Sequence, residues 1–278
     1  MRSILLTLDE TPSGATAKRI ALGLARQTGA AIKGISGVDV SDLEGGELAP
    51  LGAQNYAHDR RQRRAKLALE RRARAAALPA SFEQSCAAAG VEANCHMLGE
   101  DIRSDVLCAM ETCDLVVTGQ DAEFHLEPLD EVSPLVEHIV ARGCRPVLVT
   151  GPEAFEEGPV IVAYDGSLAA AKALQLAVLL GIFGTSSARV VSVSPGDEAF
   201  QAATRARDFL LLHGITTDME AITSTDHPAD VLCARAAAVQ ARMLVMGAFG
   251  HRGLHEMLFG SSTRRLLRGL TVPLFIYH

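Results

Sequence analysis

Short apolar runs alternate along this chain with longer stretches in which apolar residues recur every three or four positions. The runs predict strands near 3–8, 31–38, 93–98, 114–118 and 146–149, and again near 159–164, 188–194, 217–222, 242–247 and 273–277. Between them, Ala17, Ile20, Ala21, Leu24 and Ala25 mark one helical face. Ala170, Ala173, Leu174, Ala177, Val178 and Gly181 mark another. Strands separated by helices predict an α/β fold, with a doubly wound parallel sheet and right-handed crossovers. Ligands on such sheets bind beyond the carboxyl ends of the strands, where the strand order reverses.

The pattern occurs twice. Ile4-Leu5-Leu6-Thr7-Leu8-Asp9 and Val160-Ile161-Val162-Ala163-Tyr164-Asp165 are apolar runs that end in an acid, and each leads through small polar residues into a helix. Asp114–Gly119 parallels Arg242–Gly247, and Arg145–Val149 parallels Val272–Ile276. Two tandem domains follow, 1–150 and 159–278, joined by an exposed Gly/Pro/Glu connector over 150–159. The first is longer. Its extra residues fall in a Gly/Leu/acid-rich loop over Gly37–Ala57 and in a helix containing the arginine-rich stretch Asp59–Arg74.

Charge and composition narrow the function. The chain has 278 residues and a net charge of −7; 1–150 holds 16 Lys/Arg against 21 Asp/Glu, and 151–278 holds 10 against 12. Neither half is a basic nucleic-acid module. The arginines of 59–74 predict a solvated helix face, with recruitment of an anionic partner, RNA included, as the lesser alternative; no interleaved aromatics support base stacking. No apolar run is long enough to span a membrane, and the five-residue run before Asp9 is too short for a signal-peptide core. A cytoplasmic location is expected. The six cysteines lack CxxC spacing, which argues for buried free thiols rather than a zinc site or disulfides. His251 and His255 stand four apart without a third ligand, so no metal site is assigned to the protein side chains.

The most specific signal is Gly247-Ala248-Phe249-Gly250, then nine residues, then Gly260-Ser261-Ser262-Thr263, between a strand and a helical pattern. Glycines at a strand end admit a ligand close to the backbone. A Gly-Ser-Ser-Thr segment opening a helix aims free N–H groups and hydroxyls at one spot, which favours an anion such as phosphate. His251, Arg252, Arg264 and Arg265 add positive charge. A turn followed by an N-capped helix is the structural alternative.

This arrangement resembles the universal stress protein (UspA-like) family, whose Gly-x2-Gly-x9-Gly-Ser/Thr motif is matched by Gly247, Gly250, Gly260 and Ser261, and whose first-strand Asp is matched by Asp165. The likeness extends over the whole chain as two copies. It implies two five-stranded sheets of order 3-2-1-4-5, of the adenine nucleotide alpha hydrolase-like kind. It also implies pairing of the fifth strands, Val147–Val149 with Leu274–Ile276, within the chain or in a homodimer. By the same resemblance, ATP would place its base near Ala163, Tyr164, Asp165 and Val193. Its ribose and phosphates would lie near Met246, Gly247, Gly250, Gly260, Ser261, Ser262 and Thr263, with Mg2+ or Mn2+ carried on the phosphates. Asp165 is also suited to the start of a helix, where the dipole stabilises an acid.

The first copy lacks this chemistry. Alignment through Gly119 puts Ala122 at the place of Gly250, Asp121 at Phe249, Val132 at Gly260, and Ser133-Pro134 at Ser261-Ser262. Asp121, Glu123, Glu127, Asp130 and Glu131 would repel a phosphate. One nucleotide per chain is expected, on 159–278. No catalytic base or nucleophile motif is present, so the expected role is an ATP-binding stress-response regulator or sensor. A nucleotide-independent interaction scaffold and a slow ATP hydrolase are the alternatives.

Overall fold

The apolar runs become ten strands. The computed structural model describes residues 1–40, 43, 54–99, 101–122, 124, 132–248, 261–268 and 272–278. The strands of the first half are β1 (Ser3–Thr7), β2 (Ala31–Ser36), β3 (Ala93–Met97), β4 (Leu115–Gly119) and β5 (Val147–Thr150). Those of the second are β6 (Val160–Ala163), β7 (Ala188–Ser194), β8 (Thr217–Thr223), β9 (Met243–Gly247) and β10 (Leu274–Tyr277). The helices are α1 (Pro12–Thr28), α2 (Gln54–Ala88), α3 (Ile102–Met110), α4 (Pro134–Arg142), α5 (Leu168–Leu179), α6 (Glu198–Leu212), α7 (Pro228–Ala238) and α8 (Ser261–Arg268).

The strands form one sheet, not two separate ones, in the order β3-β2-β1-β4-β5-β10-β9-β6-β7-β8. Each half keeps the order 3-2-1-4-5. The fifth strands join them antiparallel, with Val147 opposite Ile276, Leu148 opposite Phe275 and Val149 opposite Leu274. The expected pairing is therefore made inside the chain, and it removes two exposed edges. Apolar side chains alternate across the junction. Leu148 and Phe275 enter a core with Ile4, Leu6, Val160 and Leu174 on one face. Val147, Val149, Leu274 and Ile276 enter a core with Leu5, Val116, Ile161 and Leu244 on the other. Both cores run through the two halves.

The helices start where the sequence supplies caps. The Thr11 hydroxyl accepts from the Gly14 amide and Pro12 opens α1. Ser133 accepts from Val136 ahead of Pro134 in α4, and Ser167 accepts from Ala170 in α5. The long helix begins at Gln54, so the loop expected over Gly37–Ala57 ends earlier than the sequence suggested; 41, 42 and 44–53 lie outside the described residues. Beyond its arginine-rich part, α2 carries Phe82 into the core. Arg74 meets Glu10 of the β1–α1 turn at 2.5 Å and Arg71 is buried, so this stretch is not wholly the solvated face it was expected to be. The six thiols are free, but Cys108 and Cys144 are exposed, contrary to the expectation of burial. Burial pushes the Cys113 thiol up to about 12 and Cys95 up to about 11, which leaves both unreactive. No helix among the described residues is long and apolar enough to cross a membrane.

Candidate functional site

Three neighbouring strands of the second half, β7, β6 and β9, bring the predicted residues to one end of the sheet. Ala163 closes β6, and Tyr164 follows it with its amide bonded to the Val191 carbonyl at 3.1 Å. Asp165 is exposed and its Oδ1 accepts from the Ser167 amide at 2.9 Å, so it shapes the turn into α5 while keeping a face to solvent. Val193 lies near the end of β7, half-buried. Met246 is buried and Gly247 ends β9. Burial, chiefly, pushes the Tyr164 phenol up; Asp165 adds to this and Arg205 opposes it.

The glycine motif is described in part. Gly250 and Gly260, with Phe249, His251, Arg252 and His255, lie outside the described residues. Ser261 and Ser262 open α8, so their amides belong to the first turn of a helix, whose N–H groups lack intrahelical acceptors. Thr263 is buried. Arg265, expected to add positive charge near the motif, donates to Asp230 Oδ1 at 2.6 Å. Gly247 has a structural duty as well. A Cβ there would overlap the Ala169 carbonyl carbon and Ala170 nitrogen and approach the Ala169 oxygen to 2.7 Å. Its missing side chain makes room for the first turn of α5. Gly119 does the same for α1, where a Cβ would meet the Ser13 side chain and lie 2.8 Å from the Gly14 nitrogen.

The matching corner of the first half is filled by its own residues. Asp121 is buried, where Phe249 stands in the second copy, and accepts from the hydroxyls of Thr11 and Ser13. Ser133 is fully buried; its hydroxyl donates to the Ala122 carbonyl at 2.8 Å and its amide to the Gln120 carbonyl at 2.8 Å. The start of α4, the counterpart of α8, is thereby closed. The Phe124 ring is fully buried and lies beside Gly37, beyond the end of β2, while its carbonyl accepts from the Asp39 amide at 3.0 Å. Its backbone is left-handed, with φ 57. That conformation costs a bulky residue about 1–2 kcal/mol, which burial of the ring offsets.

Two features of the second half escaped sequence reasoning. Arg205 of α6 places a guanidinium nitrogen 3.1 Å from where a Cβ of Gly166 would stand, bringing a cation to the β6–α5 turn. A groove of about 520 Å³ at the ends of β8 and α7 is lined in part by Ile222, Ser224, His227, Asp230 and Arg235. It adjoins the predicted site, since Ile222 pairs with Val193. A polar run before Pro228 was the available signal, but it reads equally as a helix cap. His227 does cap α7, accepting from the Ala229 amide at 3.3 Å.

Residues 158–278 match the family model described as Universal stress protein family. The universal stress protein Slr1230 of Synechocystis sp. (strain ATCC 27184 / PCC 6803 / Kazusa) is 25% identical over 182 residues, covering 64% of this chain and 60% of that relative. The chain thus matches a little under two thirds of that relative's length. A universal stress protein from Archaeoglobus fulgidus DSM 4304 superposes with a TM-score of 0.68 at 20% identity, over 99% of this chain and 97% of that one. A protein of unknown function from Pseudomonas aeruginosa PAO1 superposes with a TM-score of 0.59 at 17% identity, over 99% and 92%. At these identities the structures establish the fold.

Proposed function

Since residues 158–278 belong to the universal stress protein family and the whole chain has the fold of a solved member, we propose that this protein is an ATP-binding regulator or sensor of the stress response. The single nucleotide sits on the C-terminal half, and the protein works in the cytoplasm. The observation that carries the reading is the convergence of Ala163, Tyr164, Asp165, Val193, Met246 and Gly247 on one end of the sheet, in a half whose sequence continues through Gly250 and Gly260 into the first turn of α8. The amides of that turn suit phosphate oxygens, and Arg205 adds a cation at the neighbouring turn. A divalent ion, Mg2+ or Mn2+, would be held by the phosphates. Among the described residues no group of three His, Cys, Asp or Glu side chains forms a cage for it.

The first half supports the same reading by contrast. Phe124, Asp121 and Ser133 fill its corner, and its helix start is bonded internally. No base to activate water can be named among the described residues, and binding without efficient turnover is the expected behaviour.

The experiment is an ATP titration of the full chain against its Gly250→Val and Gly260→Val variants. A Cβ in the phosphate space should weaken binding at least about tenfold, roughly 1.4 kcal/mol, with an unchanged circular dichroism spectrum. Wild-type-like curves for both variants would remove the site. A second reading, a nucleotide-independent scaffold, is favoured by the duty of Gly247 in seating α5. Mass spectrometry of purified, denatured protein separates the two: released adenine nucleotide supports the first, and its absence together with a flat titration supports the second.

A further inference from the structure

The corner of the first half makes more hydrogen-bond contacts to carboxylates than its hydroxyls have hydrogens. The Thr11 hydroxyl oxygen lies 2.6 Å from Asp9 Oδ1 and 2.9 Å from Asp121 Oδ1, and it also accepts from the Gly14 amide at 3.0 Å. The Ser13 hydroxyl contacts the same Asp121 oxygen. A hydroxyl carries one hydrogen, so Thr11 and Ser13 together satisfy two of these three carboxylate contacts. A hydrogen on a carboxyl group would satisfy the third. Placed on Asp9, it completes the set: Asp9 donates to Thr11, and Thr11 and Ser13 donate to Asp121. That placement also suits Asp9 Oδ2, which is buried without a hydrogen-bond partner among the described residues. A neutral carboxyl leaves a carbonyl oxygen there, where an ionised group would leave unsolvated charge.

We propose that Asp9 holds a proton donated to the Thr11 hydroxyl, which in turn donates to Asp121, and that this proton is a pH-sensitive latch on the corner between β1 and α1. Among the described residues, the charged groups facing Asp9 are Asp121, from the segment after β4, and Glu10, from its own turn; both disfavour its ionisation. Glu10 is itself engaged by Arg74 of α2. From α1 and its cap come hydroxyls and amides, and the ends of β1 and β4 contribute the Thr7 and Thr118 hydroxyls, bonded to each other at 2.8 Å. Burial is the largest influence; the Thr11 hydroxyl and amide bonds to Asp9 oppose it, Asp121 and Glu10 add to it, and the balance pushes Asp9 up to about 6.

The latch is tied to the junction between the halves. The Ser13 carbonyl accepts from Thr150 at the end of β5 at 2.9 Å. Thr16 donates to the Pro152 carbonyl at 2.8 Å, and Arg19 meets Glu156 at 3.0 Å. With the proton in place, the first turn of α1 is locked to β5 and the connector. When Asp9 releases its proton to solvent, two carboxylates face each other across one hydroxyl and the turn loosens.

The test is a 13C NMR titration of aspartate carboxyl carbons in the full chain, with Asp9→Asn and Asp121→Asn assigning the signals. The Asp9 carbon should titrate near pH 6, well above the exposed aspartates, and should shift toward them in Asp121→Asn as its acidic neighbour is removed. The melting temperature of Asp9→Asn should fall less than that of the wild type between about pH 4.5 and about pH 7.5. An Asp9 signal titrating with the exposed aspartates overturns the proposal, as does equal pH dependence of the two melting curves. Should Asp9→Asn fail to fold, the wild-type titration and the Asp121→Asn shift decide it.

Discussion

Gly247→Ala separates packing from ligand access at a glycine that both readings claim. The new methyl would overlap backbone atoms of Ala169 and Ala170, with the Ala169 oxygen 2.7 Å away. Ordinary carbon contacts lie at about 3.5–4.0 Å, so the first turn of α5 must retreat by roughly 1 Å. Retreat is resisted, because Ala170 is buried and its amide is bonded to the Ser167 cap at 3.2 Å. Overpacking of this kind costs about 1–3 kcal/mol, and a weakened cap adds about 1 kcal/mol. A loss of about 2–4 kcal/mol lowers the melting temperature by roughly 3–7 °C in a chain of this size. Gly119→Ala should behave alike in the first half, where the methyl meets Ser13 and Gly14. Urea and thermal unfolding of both variants provide the measurement. A change within about 0.5 kcal/mol for Gly247→Ala, combined with lost ATP binding, would refute the packing role and return the residue to the ligand alone.

Phe275→Ala should cost about 3–5 kcal/mol, because the ring is fully buried opposite Leu148 at the junction of the halves. The variant should still melt in one transition, since both cores span the junction; a loss under about 1 kcal/mol by calorimetry would contradict this. The pH dependence has a definite sign. Asp9 is raised from 3.8 to about 6, so its stabilising protonated form is fully present below about pH 4 and is lost as pH rises through about 6. The cost at neutral pH is roughly 3 kcal/mol, and urea midpoints rising over this window relative to Asp9→Asn would oppose it.

Strands were the most legible level of this protein because the central ones, β1, β4, β5, β6, β9 and β10, are apolar runs largely buried on both faces. Ile4-Leu5-Leu6 and Val160-Ile161-Val162 gave near-exact positions, whereas the strand order in each half came from the family resemblance. The Gln54 start of α2 was not legible, since its first turn has no apolar period to mark it. Contacts between distant residues were also hidden. Asp121 reads in sequence as a charge that repels phosphate, whereas folding places it against Thr11 and Ser13, 110 and 108 positions away. Arg265 reads as positive charge for the glycine motif, and its partner Asp230, 35 positions earlier, was not visible. Gly247 reads as a ligand glycine because sequence does not reveal how closely a helix approaches a strand end.

The central claim is that the two copies have diverged, one retained for a nucleotide and the other closed on its own side chains. Isothermal titration calorimetry of the full chain with ATP and Mg2+ tests it most directly. The account predicts one nucleotide per chain, with the heat abolished by Gly260→Val in the C-terminal half and preserved in Phe124→Leu of the closed half. A ratio near two, or a binding isotherm that survives Gly260→Val, would contradict it.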